Sequence, residues 1–332
     1  MKRLIITGPR QAQFEDVQQP ECPPDGLVLR ARKTAVSTGT EIRVYRAKPV
    51  DEAGKFLHER IPFVLPAENG YSMLGEVLEA GPETNGSFVP GDRVFAPAPH
   101  SEFAAIPASL AVRIPDSITD EQAVFLSILE VGHIAVRRGS PEPGANLAVV
   151  GAGVIGLSAL AFARAFGQRT AMLEMSPARR AIATAMGAEL AADPRDEESV
   201  DLVIGLFEGQ GADVVVEAAS VWPAIETGMQ VAATDARIVV AARHTDQPAF
   251  NPVGHPHLGK KLTLLTSYGY PLEGSRWDRQ RSIALTLRLL ESAAIDLTPM
   301  ITHRFTAEEI PEVYRRLDEG DDTMVGVVID WN

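Results

Sequence analysis

Hydrophobic and polar positions follow two different rhythms along the 332 residues of this chain. Up to about residue 120, short alternating segments such as Gly26-Leu-Val-Leu-Arg-Ala-Arg32 and Gly75-Glu-Val-Leu-Glu-Ala80 are separated by Gly, Pro and Asn, the pattern of strands and turns in a β-rich region. Between Asp116 and Arg138 the rhythm becomes helical, with Thr119 as N-cap and Ala123, Val124, Leu126, Ser127 and Val131 along one face. From Ala145 onward, strands predicted at Leu147–Val150, Thr170–Leu173, Val200–Ile204, Val214–Glu217, Ile238–Ala241 and Leu262–Thr266 alternate with helices after Gly153, Pro177 and Pro223 and around Glu197. That alternation predicts an α/β domain built on a doubly wound parallel sheet. After Tyr270 come a helix over Arg276–Ser292, a Pro-bounded segment, a short helix over Ala307–Glu319 and a final strand over Val325–Ile329. No internal repeat is visible. The expected division is a β-rich domain of residues 1–120 and 271–332 and a cofactor domain of residues 121–270.

The most informative stretch is Asn146-Leu-Ala-Val-Val150 followed by Gly151-Ala152-Gly153-Val154-Ile155-Gly156, an apolar helix pattern and a second strand closed by Glu174. In a dinucleotide-binding βαβ unit the first glycine permits the tight turn, the second lets the backbone approach a pyrophosphate, and the third allows the helix to pack close to the sheet. The helix N-terminus around Val154 and Ile155 then presents unpaired N–H groups to the phosphates. Glu174 lies about 20 residues beyond the last glycine, where a carboxylate accepts hydrogen bonds from the adenosine ribose hydroxyls. A carboxylate there repels a 2′-phosphate, so NAD is expected over NADP. Arg179 and Arg180, just beyond, keep NADP open by offering cations within reach of a 2′-phosphate.

Composition narrows the remaining classes. The net charge is −13, with no run of Lys or Arg, which disfavours nucleic acid and anionic membrane surfaces as partners. Leu147–Ala163 is uncharged but too short and too glycine-rich to span a bilayer. The first residues show no long apolar leader, so a soluble, cytoplasmic protein is expected. Cys22 is the single cysteine, which excludes an internal disulfide and a cysteine-built metal site. His255-Pro256-His257 with His244 upstream lacks defined ligand spacing, and His133 on the helix entering the cofactor domain reads as a packed side chain.

The order of a β-rich region, a dinucleotide domain and a return segment, together with local motifs, resembles the medium-chain dehydrogenase/reductase superfamily over nearly the whole chain. The motifs are Pro90-Gly91-Asp92-Arg93-Val94, Gly75-Glu76-Val77 with Gly81, and Ala212-Asp213-Val214-Val215-Val216-Glu217-Ala218. The resemblance implies a GroES-like catalytic domain joined to a Rossmann domain, a small-molecule substrate bound between them beside the nicotinamide, and a homodimer paired through the strands near Ile238–Ala241 and Leu262–Thr266. It also places Ala241 and Ser267, at the ends of two of those strands, beside the cofactor, with one of Tyr268 and Tyr270 touching substrate.

Zinc-dependent relatives hold a catalytic metal with Cys, His and Cys or Glu, and at those places this chain carries other residues. Thr38-Gly39-Thr40-Glu41 stands for the first motif, with Thr38 at the cysteine position. Gly70-Tyr71-Ser72-Met73-Leu74-Gly75 stands for the second, with Tyr71 at the histidine position, and the third position falls at or near Ser127. The four-cysteine structural zinc lobe is also missing, because Phe95-Ala-Pro-Ala-Pro-His-Ser-Glu-Phe103 runs directly into the next strand. Hydroxyls are poor zinc ligands, so the expectation is an enzyme without zinc. These motifs resemble the zinc-free branch that contains bacteriochlorophyllide a dehydrogenase, which implies a secondary alcohol and ketone pair as the reacting group.

Without a Lewis acid, a carbonyl accepting hydride needs hydrogen-bond donors or a general acid. Tyr71 is the leading candidate, with its ordinary pKa near 10 lowered by about two or three units for work near neutrality. Thr40 matches the family position whose hydroxyl relays a proton from the substrate alcohol. Glu41, Arg43 and Tyr45 follow on the same segment and are candidates to line the pocket. Two alternatives stay open: an NADPH-dependent quinone or enoyl C=C reductase, and a cofactor-binding protein without turnover.

Overall fold

The computed structural model describes residues 1–48, 65–244, 246–267 and 277–331. Tyr268, Tyr270 and Arg276 lie outside the described residues. The chain forms two compact units, one holding the N-terminal region to Ser127 together with everything from Ile301, the other holding Ile128–Met300.

The first unit is the β-rich one. Its larger sheet orders the strands Ile301–Thr306, Gly326–Asp330, Gly26–Ala35, Met73–Ala80, Arg93–Ala96 and Val112–Arg113, with Phe103–Pro107 also pairing Gly26–Ala35. A smaller sheet joins Gln11–Asp16, Lys2–Gly8 and Ala67–Glu68. The C-terminal strand pairs antiparallel with Gly26–Ala35, which is how the last thirty or so residues return to the first unit. Two apolar clusters fill it: one gathers Leu4, Ile6, Ile42, Tyr45, Ile310, Val313 and Tyr314, the other Leu27, Leu29, Met73, Val77 and Ile106. Thr119 caps the helix Asp120–Ala123 through a reciprocal bond with Gln122, as the sequence pattern predicts.

The second unit is a six-stranded parallel sheet in the order Leu190–Ala192, Arg169–Leu173, Asn146–Val150, Ala212–Glu217, Ala232–Val240, Thr263–Thr266. Numbered along the chain this is 3-2-1-4-5-6, the doubly wound arrangement whose ligand crevice lies at the C-terminal ends of the first and fourth strands. Helices Val154–Ala165, Pro177–Ala185, Ser199–Leu206 and Trp222–Val231 connect the strands. Val200–Ile204, predicted as a strand, is helical, and the third strand is the three-residue Leu190–Ala192. Its apolar residues satisfy either period: Val203 is buried while Leu202 is half exposed, the asymmetry of a helix lying on a sheet. The helix Arg279–Glu291, expected with the first domain, groups with the second unit.

Candidate functional site

Within the second unit, the turn after Asn146–Val150 carries three glycines with distinct backbone demands. Gly151 sits at φ +100°, in the region that favours glycine. A Cβ on Gly156 would stand 1.9 Å from the Gly151 carbonyl oxygen, so no side chain is admitted where the helix meets the turn. A Cβ on Gly153, the N-cap of the helix Val154–Ala165, meets nothing within 4 Å, leaving open space above the backbone. No side chain caps this helix, and its first turn at Val154, Ile155 and Gly156 precedes the first helical bond, from Leu157 N–H to Gly153 O. Those three N–H groups face the open side with the positive end of the helix dipole.

Glu174 ends the neighbouring strand with its carboxylate fixed on both oxygens, accepting from Ala152 N–H at 2.7 Å and Ser176 N–H at 2.8 Å. Arg180 uses Nη1 within the protein, donating to the carbonyls of Glu174 at 2.8 Å and Met175 at 2.7 Å and pairing with Asp193 at 3.1 Å. Arg179 donates its backbone N–H to the Ser176 hydroxyl, the N-cap of Pro177–Ala185. Ala241 and Ser267 follow the fifth and sixth strands, their N–H groups bonded to Glu217 O and Val240 O, so both lie at the C-terminal edge of the sheet. A pair the sequence reading left without a role sits there too: buried Glu217 accepts from Ala219 and Ser220 N–H and from His244 Nε2 at 2.8 Å.

In the first unit, Thr38, Tyr71 and Ser127 are all half-buried. The Tyr71 hydroxyl donates to Ser37 Oγ at 2.6 Å, and Ser127 Oγ donates to the Tyr71 carbonyl at 3.2 Å. Ser72 Oγ bonds the Val124 carbonyl at 2.5 Å, which ties the Tyr71 segment to the helical entry segment. Among the described residues no group of three or more His, Cys, Asp or Glu could hold a metal ion, and the three hydroxyl-bearing positions do not fit zinc. Thr40, half-buried, opens the helix Thr40–Tyr45.

Glu41 and Tyr45, read from sequence as pocket candidates, point into the unit instead. Glu41 is 0% exposed. Its Oε1 accepts from Ser37 N–H at 2.7 Å, and its Oε2 takes the Tyr314 hydroxyl at 2.5 Å and His100 Nε2 at 2.9 Å. Thr34 Oγ1 lies 2.7 Å from His100 Nδ1 and accepts the Trp331 indole N–H at 2.9 Å. With the Thr34 hydroxyl donating to Nδ1, Nε2 carries the hydrogen given to Glu41, and every donor in the chain has an acceptor. Burial and the neighbouring Glu41 carboxylate push the Tyr314 hydroxyl well above the ordinary phenol range. Tyr45 packs edge-on against Tyr314 with ring centroids 5.5 Å apart. Glu41 therefore anchors the Ser37–Thr40 turn rather than meeting substrate. His100 went unremarked in the sequence; its signal is a lone histidine in the apolar, proline-bounded run between Phe95 and Phe103.

The chain thus holds a doubly wound parallel-sheet unit with a glycine turn and a β-rich unit with a hydroxyl-bearing turn. Residues 154–284 match the family model of the zinc-binding dehydrogenases. The chain is 25% identical to L-threonine 3-dehydrogenase of Pectobacterium atrosepticum, covering all of this chain and 94% of that protein, and 23% identical to rat sorbitol dehydrogenase, covering 99% and 96%. Among solved structures it superposes on 2R,3R-butanediol dehydrogenase from Bacillus subtilis with a TM-score of 0.84 at 19% identity, over 100% of this chain and 99% of that one. An Escherichia coli oxidoreductase of unknown specificity gives a TM-score of 0.84 at 18% identity, over 99% and 98%. The matches support the medium-chain dehydrogenase/reductase superfamily, whose dehydrogenases the chain resembles over its whole length.

Proposed function

We propose that this protein transfers hydride between NAD(H) and a secondary alcohol or ketone without a catalytic zinc. What supports the reading is the hydroxyl set of the first unit, Thr38, Tyr71 and Ser127, at the positions that the motif resemblance assigns to zinc ligands, with the phenol held by a 2.6 Å hydrogen bond to Ser37. NAD, when bound, supplies or accepts the hydride. Gly151, Gly153 and the N–H groups of Val154, Ile155 and Gly156 would hold its pyrophosphate, and Glu174 its adenosine ribose. Ala241 and Ser267 are assigned to the nicotinamide end from their place at the sheet edge.

In the reducing direction the carbonyl oxygen gains negative charge, and Tyr71 donates its proton there while the Thr40 hydroxyl gives a second hydrogen bond. Glu41 keeps the turn that carries Ser37 and Thr40 in place, and a rigid turn loses no stabilisation to reorganisation as charge develops. Reversal of the same steps oxidises the alcohol, with Tyr71 as base. The polyol and amino-alcohol dehydrogenases among the relatives support a hydroxyl-bearing carbon as the reacting centre.

The NADPH-dependent reductase alternative needs a cation for the 2′-phosphate, and the engagement of Arg180 with two carbonyls and Asp193 weighs against it. We further propose a cytoplasmic homodimer. No helix among the described residues is long and apolar enough to cross a membrane. Of the two strands expected at the dimer contact, only Thr263–Thr266 is an edge; Ala232–Val240 is bonded on both sides and has no free edge to offer.

Fluorescence titration with NADH and NADPH tests the cofactor assignment. NADH is expected to bind more tightly, and Glu174→Ala to erase the difference. A preference for NADPH in the unaltered protein overturns the assignment and moves the C=C reductase reading to first place.

A further inference from the structure

Resting on that reading of Tyr71, we propose that Ser37 is its positioning residue: the Ser37 hydroxyl accepts from the phenol and turns to donate to the phenolate once Tyr71 has given up its proton. Three observations carry this. The Tyr71 hydroxyl lies 2.6 Å from Ser37 Oγ, a short bond for two hydroxyls. Ser37 is 2% exposed, so water does not compete for that bond, whereas Tyr71 is only half-buried and can also meet a ligand. The Ser37 backbone is held at both ends of one helical turn: its N–H donates to Glu41 Oε1 at 2.7 Å and its carbonyl accepts from Glu41 N–H at 2.9 Å. Glu41 is in turn held by His100 and Tyr314.

The chemistry follows from the two faces of a hydroxyl, which both donates and accepts. When Tyr71 is neutral, its O–H points to Ser37 Oγ. When its proton passes to the substrate oxygen, the phenolate becomes a charged acceptor, and rotation about the Ser37 Cβ–Oγ bond turns the serine hydrogen onto it. No proton leaves Ser37; the phenolate recovers its own from solvent. A charge-assisted bond is roughly twice as strong as the neutral bond it replaces, so the pair favours the ionised phenol. The oxygens of Glu41 bond Ser37 N–H, His100 and Tyr314.

The test reads the phenol directly and needs no substrate. Absorbance of tyrosinate near 295 nm is titrated for the protein and for Ser37→Ala, each minus the same protein carrying Tyr71→Phe, which isolates Tyr71 from the other four of the five tyrosines. Burial raises the pKa of Tyr45 and of Tyr314, and the subtraction removes both from the difference curve. Ser37→Ala retains the backbone bond to Glu41, and it is expected to raise the Tyr71 midpoint by about one pH unit, the order of a lost hydrogen bond to a charged group. Ser37→Cys, with a weak S–H donor, is expected to fall between the two and stands in should the alanine variant fold poorly. An unshifted Tyr71 midpoint in both variants overturns the proposal. Turnover keeps the two ideas apart. Tyr71→Phe at full activity with a shifted Ser37→Ala midpoint refutes the catalytic reading alone, while an inactive Tyr71→Phe with an unshifted midpoint refutes the Ser37 assignment alone.

Discussion

Acid should weaken the second unit through one side chain, His133. It is 0% exposed on the helix Leu126–Gly139, stacked on Phe162 with centroids 4.8 Å apart and edge-on to Phe166 and Trp277 at 5.9 and 5.8 Å. Neither ring nitrogen has a hydrogen-bond partner. Burial first, and the Arg137 charge second, lower its pKa to about 4. The Arg137 and Arg281 guanidiniums lie over the Trp277 ring at 3.7 and 4.4 Å, so the aromatic box is already flanked by positive charge. Folded His133 therefore stays neutral down to about pH 4, while in the unfolded chain an ordinary histidine protonates near 6.5. Between those values the unfolded state binds the extra proton, so stability from this group is complete above about pH 6.5 and is lost as pH falls towards 4. Each pH unit is worth about 1.4 kcal/mol, which makes the loss about 2 kcal/mol between pH 6.5 and 5. Urea unfolding measured at intervals across that range should show the decline, and His133→Phe, which keeps the stacking and removes the titration, should flatten it by that amount. Equal slopes in the two proteins would refute the argument.

The buried carboxylate network gives a stability prediction of its own. Tyr314→Phe removes the 2.5 Å bond to Glu41 while leaving the ring packed against Tyr45, and should cost about 1.5–3 kcal/mol in denaturant unfolding, with a smaller cost of about 1 kcal/mol in a Glu41→Gln background, where the amide oxygen accepts only a neutral bond. Additive losses would mean that the two side chains are not coupled. Gly156→Ala forces a methyl group to 1.9 Å from the Gly151 carbonyl, which should destabilise the second unit by about 1–3 kcal/mol and weaken NADH binding in the same titrations; unchanged affinity would remove the glycine turn from the cofactor site. Arg180→Ala should leave the NADH to NADPH ratio unchanged, because that guanidinium already bonds two carbonyls and Asp193, and a fall in NADPH affinity alone would show that it reaches the 2′-phosphate.

Much of the second unit was legible because its signals are local. The glycine turn, Glu174 and the strands Asn146–Val150 and Arg169–Leu173 each follow from a few adjacent residues whose backbone demands are strong. Val200–Ile204 failed because five apolar residues fit a strand and a buried helix face equally well, and only packing on the sheet decides between them. Leu190–Ala192 is too short to carry a period. The site in the first unit was half legible. Tyr71 and Thr40 are proposed from their place in motifs, but the direction of a side chain is set by tertiary contacts. Glu41 and Tyr45 are on a helix of six residues whose inward face could not be fixed until Tyr314, some 270 residues further on, was brought against it. His100 and Ser37 were hidden for the same reason, since each gains its meaning from a partner remote in sequence.

The central claim is hydride transfer that needs no zinc, and its most direct test is the rate of NADH oxidation over a panel of secondary ketones, using metal-stripped protein with a strong chelator present. The account predicts turnover that persists under these conditions and is lost on Tyr71→Phe. Turnover that appears only when zinc is restored would contradict it.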